Sequence, residues 1–164
     1  MSTARIATTA SAAGLVAVMA LAEPTIRKWE GYSNDPYRDV AGILTVCVGE
    51  TSGVQNRRYS DAECGAMLQR SLRAHASPIL ACLPASTPLS VAVAFVIFGY
   101  NVGVANACGS TAAKHVWRGD YARACNGLTA WNKITHPITR KKVVSQGLVN
   151  RRDDERAICL KGLA

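Results

Sequence analysis

The chain has few acidic residues, with 11 Asp and Glu against 19 Lys and Arg, a formal net charge of +8 and a pI near 9.5. This basic balance predicts attraction to a polyanion, such as nucleic acid, an anionic lipid surface or the anionic bacterial cell wall. However, the sequence lacks an arginine-rich arm and the aromatic-basic ribbon that single-strand binders use. We therefore expect no nucleic-acid partner.

Metal and cofactor motifs are also missing. The sequence contains no H-E-x-x-H, no P-loop and no G-x-S-x-G. Its cysteines show no C-x-x-C pair and no clustering with histidine, which zinc sites require. His75, His115 and His136 are isolated, so each fits a surface or capping role better than a catalytic one. We expect neither a metal ion nor a cofactor.

The six cysteines indicate the redox environment in which the protein folds. An even number without metal spacing fits up to three disulfides and thus an oxidising environment, such as the periplasm or the exterior. Buried free thiols in a cytosolic protein are the alternative. The cysteines are Cys47, Cys64, Cys82, Cys108, Cys125 and Cys159.

The composition is that of a folded protein. The chain is 164 residues long, 49% hydrophobic and 18% charged, and has no low-complexity tract. This length allows one domain with a core of its own, or two small lobes that share a helix.

Residues 6–22, IATTASAAGLVAVMALA, carry no charge and lie between Arg5 and Glu23. As a membrane-spanning helix this segment is short and weakly hydrophobic, near the lower end of the usual range of about 17–25 residues. Such a helix would enter a bilayer without being held there firmly.

A cleaved signal peptide is the competing interpretation of the same segment. Arg5 would be the basic region, residues 12–22 the apolar region, and Ala20-Leu21-Ala22 the small-x-small cleavage site. Both interpretations send the rest of the chain across a membrane. An Ala-rich core helix is disfavoured, because the polar residues at 8, 9 and 11 form no clear stripe.

The sequence after Pro24 predicts a small lobe that combines helix and strand. Residues 25–31 predict a short helix with Glu30 in its last turn, where an acid opposes the helix dipole. Residues 37–59 carry strand-forming residues broken by glycines and predict a β-hairpin or a three-stranded sheet. Ser60-Asp61-Ala62-Glu63 is a capping box, which opens a connecting helix that must end before Pro78.

A helical lobe is expected after this connector. Thr87-Pro88 starts a helix, and LSVAVAFVIFGYNVG is apolar nearly all round, as in a buried central helix. Short amphipathic helices are expected near residues 110–118, 120–131, 138–146 and 149–161. One mixed lobe and one helical lobe place the fold in the α+β class.

Three acids stand close together in EGYSNDPYRDVAGILT, residues 30–45. Glycoside hydrolysis needs one protonated carboxyl to donate to the leaving oxygen and one ionised carboxylate to activate water. Glu30, beside Trp29 at the end of an apolar helix, is placed for partial burial that favours the protonated form. Asp39, on a glycine-flanked turn, would stay ionised. Asp35 is typical of turn chemistry and is left out of the candidate site.

The order and spacing of Glu30, Asp39 and Thr45 resemble the Glu-Asp-Thr catalytic signature of the phage-type lysozymes, glycoside hydrolase family 24. The surrounding motifs are similar as well, from about residue 25 to residue 161. They are WEG at 29–31, PYRD at 36–39 and GILTVCVG at 42–49 in the active-site hairpin, FGYNVG at 98–103 in the central helix, and GLVNRRDDERAIC at 147–159 in the C-terminal helix.

This resemblance implies a lysozyme-like fold and hydrolysis of the β-1,4 bond between N-acetylmuramic acid and N-acetylglucosamine in peptidoglycan. By position, Glu30 would be the general acid, while Asp39 and Thr45 would activate and hold the attacking water in an inverting arrangement. Peptidoglycan would be the partner of a monomeric enzyme. The alternatives are a lytic transglycosylase and a non-catalytic basic wall-binding module on the same fold.

The weak Ala-rich leader is similar to that of signal-arrest-release endolysins of phages and prophages of Gram-negative hosts. Residues 1–24 would be this segment or a signal peptide, and residues 25–164 the catalytic domain. Within that domain, we expect the sheet lobe at 25–60, the connecting helix at 61–78 and the helical lobe at 87–164. Residues 6–22 would tether the exported chain to the inner membrane before its release into the periplasm. Residues 1–22 contain no cysteine, so restraint would come from topology and not from disulfide exchange.

For the disulfides, we expect Cys47–Cys64 and Cys125–Cys159, each joining neighbouring elements, which leaves Cys82–Cys108. Six cysteines allow 15 pairings. Two positions depart from the family pattern: Glu50 stands where many relatives have His, and Gly99 precedes Tyr100 in the central-helix motif. Neither belongs to the catalytic signature.

Overall fold

The computed structural model describes residues 12–39 and 41–163 and shows a mainly helical protein with two small antiparallel hairpins. The helices are α1 (Ala12–Glu30), α2 (Asp61–Ala81), α3 (Leu89–Val102), α4 (Val104–Gly109), α5 (Thr111–Trp117), α6 (Tyr121–Gly127) and α7 (Gln146–Lys161), with a 3-10 turn at Leu128–Ala130. The strands are β1 (Ser33–Arg38), β2 (Leu44–Cys47), β3 (Lys133–Thr135) and β4 (Lys142–Val144). The predicted α+β class is confirmed.

Helix α3 is the centre of the core, as its all-round apolar sequence predicts. Residues 91–99 are buried without interruption, and α1, α2 and α7 pack around them. Burial of each Val, Ile or Phe contributes about 1.5–3 kcal/mol. Gly99 lets α2 approach closely, because an added Cβ would collide with Ile79 and crowd Ala107. The departure at Gly99 is therefore explained by helix packing.

Helix α1 is longer than the sequence predicts. It runs from Ala12 through Pro24 to Glu30, so the predicted helix start after Pro24 is wrong. Val18, Ala22 and Ile26 are fully buried at four-residue spacing, so this side of α1 forms one wall of the core. The packing of this wall offsets the cost of a proline inside a helix. Residues 6–11 of the proposed leader lie outside the described residues.

Within the described ranges, no helix combines the length and the apolar character that crossing a membrane requires.

Two other boundaries differ from the prediction. Helix α2 begins at its confirmed capping box but continues through Pro78 to Ala81, because Ile79 and Leu80 are buried against the core and stabilise the extra turn. Helix α7 begins earlier than expected, at Gln146. Of the two alternatives expected for residues 37–59, the structure shows the hairpin: β1 begins earlier, at Ser33, and pairs with β2, and a single bridge joins Val46 to Glu50.

The helix predicted at residues 138–146 is wrong. Residues 133–135 and 142–144 pair instead as the hairpin β3–β4, with Ile134 opposite Val143. β-branched residues favour strand over helix, and Arg140 in the turn takes a positive φ of 58° that a helix does not allow. Because nearly all of this hairpin is exposed on both faces, its sequence carries no buried alternation that would reveal a strand.

All three predicted disulfides are confirmed. Cys47–Cys64 joins β2 to α2, Cys82–Cys108 joins the end of α2 to α4, and Cys125–Cys159 joins α6 to α7. Each one closes a loop of the unfolded chain and stabilises the fold by about 3 kcal/mol in the chain-entropy model.

Candidate active site

Glu30 is the last residue of α1, and Gly31 ends the helix with a φ of 77° that glycine adopts without strain. Ile26, one turn earlier, is fully buried, while the Glu30 side chain is 24% exposed. This confirms the expected partial burial at the end of an apolar helix. The Glu30 carboxyl thus lies at the edge of the core, in contact with solvent.

An arginine from the other end of the chain contacts this carboxyl. Arg151 of α7 places Nη2 2.7 Å from Glu30 Oε1, and its side chain is only 5% exposed. The distance is that of a close ion pair, although the angles fall outside those of a directed hydrogen bond. Glu30 is therefore held by charge rather than by a well-aligned donor.

Behind Arg151 lies a buried cluster of charges. Glu155 is fully buried, and its Oε1 accepts from Arg151 Nε at 3.3 Å and from Arg152 Nη2 at 2.9 Å. Arg152 Nη2 also donates to Asn101 Oδ1 at 2.8 Å, and its guanidinium lies over the Phe98 ring. The face of α7 that meets α3 thus carries buried charges, which contact Asn101 and Phe98 of the otherwise apolar α3.

Burial dominates the electrostatics of this cluster. Loss of solvation raises the pKa of Glu155 to about 7, although the guanidiniums of Arg152 and Arg151 both lower it. Loss of solvation also lowers the pKa of Arg152, against the attraction of Glu155. The Glu155 carboxyl therefore titrates near neutral pH.

Asp39 lies in the turn between β1 and β2. Its Oδ1 accepts from the backbone N–H groups of Ala41 at 2.8 Å and Ile43 at 2.9 Å, and its own N–H donates to the Ile43 carbonyl. These bonds fix the carboxylate orientation. Oδ2 has no hydrogen-bond partner within residues 12–39 and 41–163, so one oxygen is left to accept from a ligand or water.

Thr45 is on β2 and pairs with Tyr37 of β1. Tyr37 comes two residues before Asp39 in the chain. Its side chain is buried, and Oγ1 donates to the Ile43 carbonyl at 3.0 Å. Because its proton is already used, the hydroxyl oxygen can only accept a further hydrogen bond. Asp39 and Thr45 thus share one hairpin, and Glu30 is on the helix that leads into it.

The hairpin is fastened to α2 at two places. The Cys47–Cys64 bond holds the end of β2. At the start of β1, Asp61 Oδ1 accepts from Tyr32 Oη at 2.6 Å and from Asn34 Nδ2 at 2.9 Å. These two donors lower the pKa of Asp61, since they bind its ionised form.

Glu50, the second departure from the family pattern, follows β2, and its Oε1 is buried. Nearby, Ser71 and Tyr100 share a hydrogen bond of 3.0 Å between hydroxyls, and the His75 ring packs on Tyr100. Burial raises the pKa of Tyr100, and the charges of Glu50 and Glu30 add to the effect. Tyr100 therefore stays a neutral phenol next to the site.

Sequence reasoning missed the residues behind Glu30. Arg151 and Glu155 stand four apart in a charge-rich stretch, a spacing usual for exposed helix pairs. Only the resemblance of that stretch to the family's C-terminal helix marked it, and it did not reveal that the charges face inward. No group of His, Cys, Asp and Glu in the described ranges could hold a metal ion. A groove of about 800 Å³ beside Leu21 and Ile158 contains none of the three predicted site residues.

Comparison with known proteins identifies relatives that match most of the chain. A family model described as phage lysozyme matches residues 27–155. A SAR-endolysin of Pseudomonas phage phiKMV is 35% identical over 153 residues, which cover 93% of this chain and 87% of the relative. A SAR-endolysin of Escherichia phage Mu is 35% identical over 158 residues, with 94% and 88% covered.

Solved structures confirm the lysozyme-like fold. The active form of the P1 phage endolysin Lyz superposes with a TM-score of 0.76 at 22% identity, covering 95% of this chain and 97% of that one. The secreted inactive form of the same endolysin gives 0.50 at 19% identity, covering 92% and 95%. The chain is thus folded more like the active form than like the inactive one.

Proposed function

The chain belongs to the phage lysozyme family and is a muramidase, and from this premise we propose that Glu30, Asp39 and Thr45 carry out the hydrolysis. The observation that supports this most directly is the pairing of unlike carboxyl groups. Glu30 is partly buried at a helix end, while Asp39 is fixed by backbone donors with one oxygen unoccupied. An acid and a base are needed together in this reaction.

In the proposed reaction, Glu30 gives its proton to the oxygen that links the two sugars, and the bond from that oxygen to the muramic acid carbon breaks. A water molecule attacks the carbon while Asp39 takes one of its protons through Oδ2. The Thr45 hydroxyl accepts a hydrogen bond from the same water and orients it. The products are two sugar ends, one of them reducing, and Glu30 and Asp39 then exchange their proton with solvent.

Digestion of purified peptidoglycan tests this reaction against its alternatives. The hydrolase yields reducing muramic acid ends in mass spectra, and Glu30→Gln abolishes them. Anhydro ends would indicate a lytic transglycosylase, which needs only the acid. Absence of products from the wild-type protein, with retained binding to cell walls, would indicate a binding module and overturn the proposal.

The basic charge has a use in this function. The hairpin β3–β4 and its turn carry Lys133, Arg140, Lys141 and Lys142, all exposed. No acidic residue occurs between Asp120 and Asp153. We propose that this surface attracts the anionic wall, and that host cell lysis is the outcome. Substitution of the four cations by Gln should weaken binding to sacculi most strongly at low salt.

We also propose that the segment at residues 6–22 associates transiently with the inner membrane before the periplasmic enzyme folds. The relatives named SAR-endolysins motivate this. So does the outward face of α1, where Val16 is 56% exposed and Leu21 53%, together with the exposed Ala13 and Ala20. A surface helix is usually polar on that side, whereas a helix that also contacts lipid benefits from apolar residues there.

Changing the apolarity of this face tests the association. Ala13→Leu with Ala20→Leu leaves the buried side of α1 intact and should shift the protein into the membrane fraction and delay lysis. Ala66→Leu with Ala74→Leu, two exposed alanines of α2, is the matched control and should change neither. Unaltered fractionation and lysis timing in the α1 variant would contradict the proposal.

A further inference from the structure

The hairpin β3–β4 carries apolar side chains that are not part of the core. Ile134 is 47% exposed, Ile138 84% and Val144 60%. Together with the half-buried Val143, they belong to neither of the two apolar clusters found in the described ranges. Core packing therefore does not account for these residues. Apolar side chains grouped on one exposed element are typical of an interaction surface.

Positive charge surrounds the same side chains. Lys133, Arg140, Lys141 and Lys142 are exposed, and none of them forms an ion pair with any residue that the structure describes. The anionic wall attracts such cations but offers no continuous apolar phase. An anionic bilayer offers both partners, because its headgroups attract cations and its acyl region accepts apolar side chains.

The turn of this hairpin presents Ile138 in a conformation fixed by hydrogen bonds. His136 Nδ1 accepts from the N–H groups of Ile138 at 3.3 Å and Thr139 at 3.2 Å. The Arg140 N–H donates to the His136 carbonyl, and the His136 N–H donates to the Lys141 carbonyl, both at 2.9 Å. Because these backbone groups are already paired, moving the turn out of water leaves fewer polar groups without a partner.

The apolar residues lie on both faces of the hairpin. The register pairs Ile134 with Val143 on one face, while the neighbouring Val144 points to the other. A protein partner would cover one face and leave the other in water. Lipid surrounds an inserted turn on every side, so this distribution favours a bilayer over a protein.

We propose that the turn of β3–β4 inserts Ile138 into the surface of an anionic phospholipid bilayer, with the four cations of the hairpin at the level of the headgroups. This contact holds the folded enzyme at the membrane surface. It uses a different part of the chain from residues 6–22 and goes beyond the hydrolysis of peptidoglycan. Its test is therefore independent of the roles proposed for the catalytic residues.

Sedimentation of the full-length protein with vesicles of phosphatidylglycerol and phosphatidylcholine tests this contact. Ile138→Ser should weaken binding by roughly threefold to tenfold, because it removes an apolar side chain from the bilayer surface, and should leave binding to sacculi unchanged. Ile43→Ser alters an isoleucine of the other hairpin that is 50% exposed and should bind vesicles like the wild type. Residues 6–22 are present in every variant, so their contribution cancels in these comparisons.

A fluorescent side chain at the same position reports insertion directly. The emission that Ile138→Trp adds should be quenched by phospholipids with brominated acyl chains, whereas the emission that Ile43→Trp adds should not. Equal vesicle binding by Ile138→Ser and the wild type, or unquenched emission from Ile138→Trp, would overturn the proposal. If Ile138→Ser weakens binding to sacculi as much as binding to vesicles, the turn contacts the wall and the proposal fails as well.

Discussion

The two halves of the candidate site hold their proposed catalytic groups in different ways. On the helical side, Glu30 is held by a buried guanidinium and the charges behind it. On the hairpin side, Asp39 is held by backbone N–H groups in an exposed turn, and the hairpin is fastened by a disulfide. The first arrangement places a buried cation against its carboxyl, while the second fixes the direction of its carboxylate. The proposed acid and the proposed base are thus held by different kinds of interaction.

The two halves should also respond to pH in opposite directions. Glu155 has a raised pKa in the folded state, so its contribution to stability is present below its unfolded pKa and is lost as the pH rises. Asp61, which anchors the hairpin, has a lowered pKa, so its contribution is present above its unfolded pKa and is lost as the pH falls. Substitutions in each half can test this contrast.

Removing the acid should have the largest effect. Glu30→Gln should lower kcat by about 10²–10⁴-fold, since a neutral amide cannot donate the proton. Its fold should persist in circular dichroism. Glu23→Gln, a change of the same kind on the same helix that breaks the pair with Arg27, is the control and should keep nearly full activity.

Removing the base tests the hairpin half. Asp39→Asn should lower kcat by about 10²-fold or more, while its amide oxygen can still accept from Ala41 and Ile43 and preserve the turn. Asp35→Asn alters a nearby exposed acid that pairs with Arg58 and should be close to wild type. Equal losses in both variants would show that charge in the hairpin matters and the specific carboxylate does not.

The disulfide of the hairpin offers a third comparison. Cys47→Ser with Cys64→Ser should lower the free energy of unfolding by about 3 kcal/mol and speed hydrogen exchange in the first hairpin before the rest of the molecule. Activity should fall while the helices remain folded. Cys125→Ser with Cys159→Ser should cost a similar free energy but loosen α6 and α7 instead. Identical exchange patterns in the two variants would contradict the local role of each bond.

The stability of the buried cluster should depend on pH. Between about pH 4.5 and 7 the unfolded chain releases the Glu155 proton while the folded one retains it, so unfolding becomes easier as the pH rises. The expected contribution is about 3 kcal/mol. Denaturant melts should show this decline in the wild type and a flatter profile in Glu155→Gln. A wild-type profile that is already flat would count against a protonated Glu155.

The smallest effect is expected at the hairpin anchor. Asp61→Asn loses the charge that Tyr32 and Asn34 bind, so melting temperatures above pH 4 should drop slightly and the decline toward pH 3 should become shallower. Asp153→Asn, an exposed acid on α7, is the control. A steeper acid decline in Asp61→Asn would contradict the sign of the shift.

Much of the hairpin half could be predicted from the sequence, because local rules decide it. The glycine after Glu30, the capping box at Ser60 and the strand-forming residues of β2 each act over a few residues. The Cys47–Cys64 bond joins β2 to the next element in the chain, α2. The burial of α3 could be predicted equally well, because a helix that is apolar on every side avoids water.

The helical half was less predictable. Residues 12–22 carry no charge, and both a bilayer and a protein core favour such residues, so hydropathy alone could not assign them to α1. The inward charges of α7 depend on partners more than 100 residues away in the chain, as in the pair of Glu30 with Arg151. Spacing along one helix cannot distinguish such a cluster from a solvated surface.

Glu30, the proposed acid, is the last residue of α1, so the rotation of this helix about its axis sets the direction of the Glu30 side chain. A helix advances by about 1.5 Å and turns by about 100° with each residue, so a slip of one residue would swing Glu30 away from Arg151. The side chains that set this rotation are the buried Val18, Ala22 and Ile26. Val18 lies about 18 Å along the axis from Glu30. The packing of an ordinary core residue therefore helps to determine, from a distance, the direction in which the Glu30 side chain points.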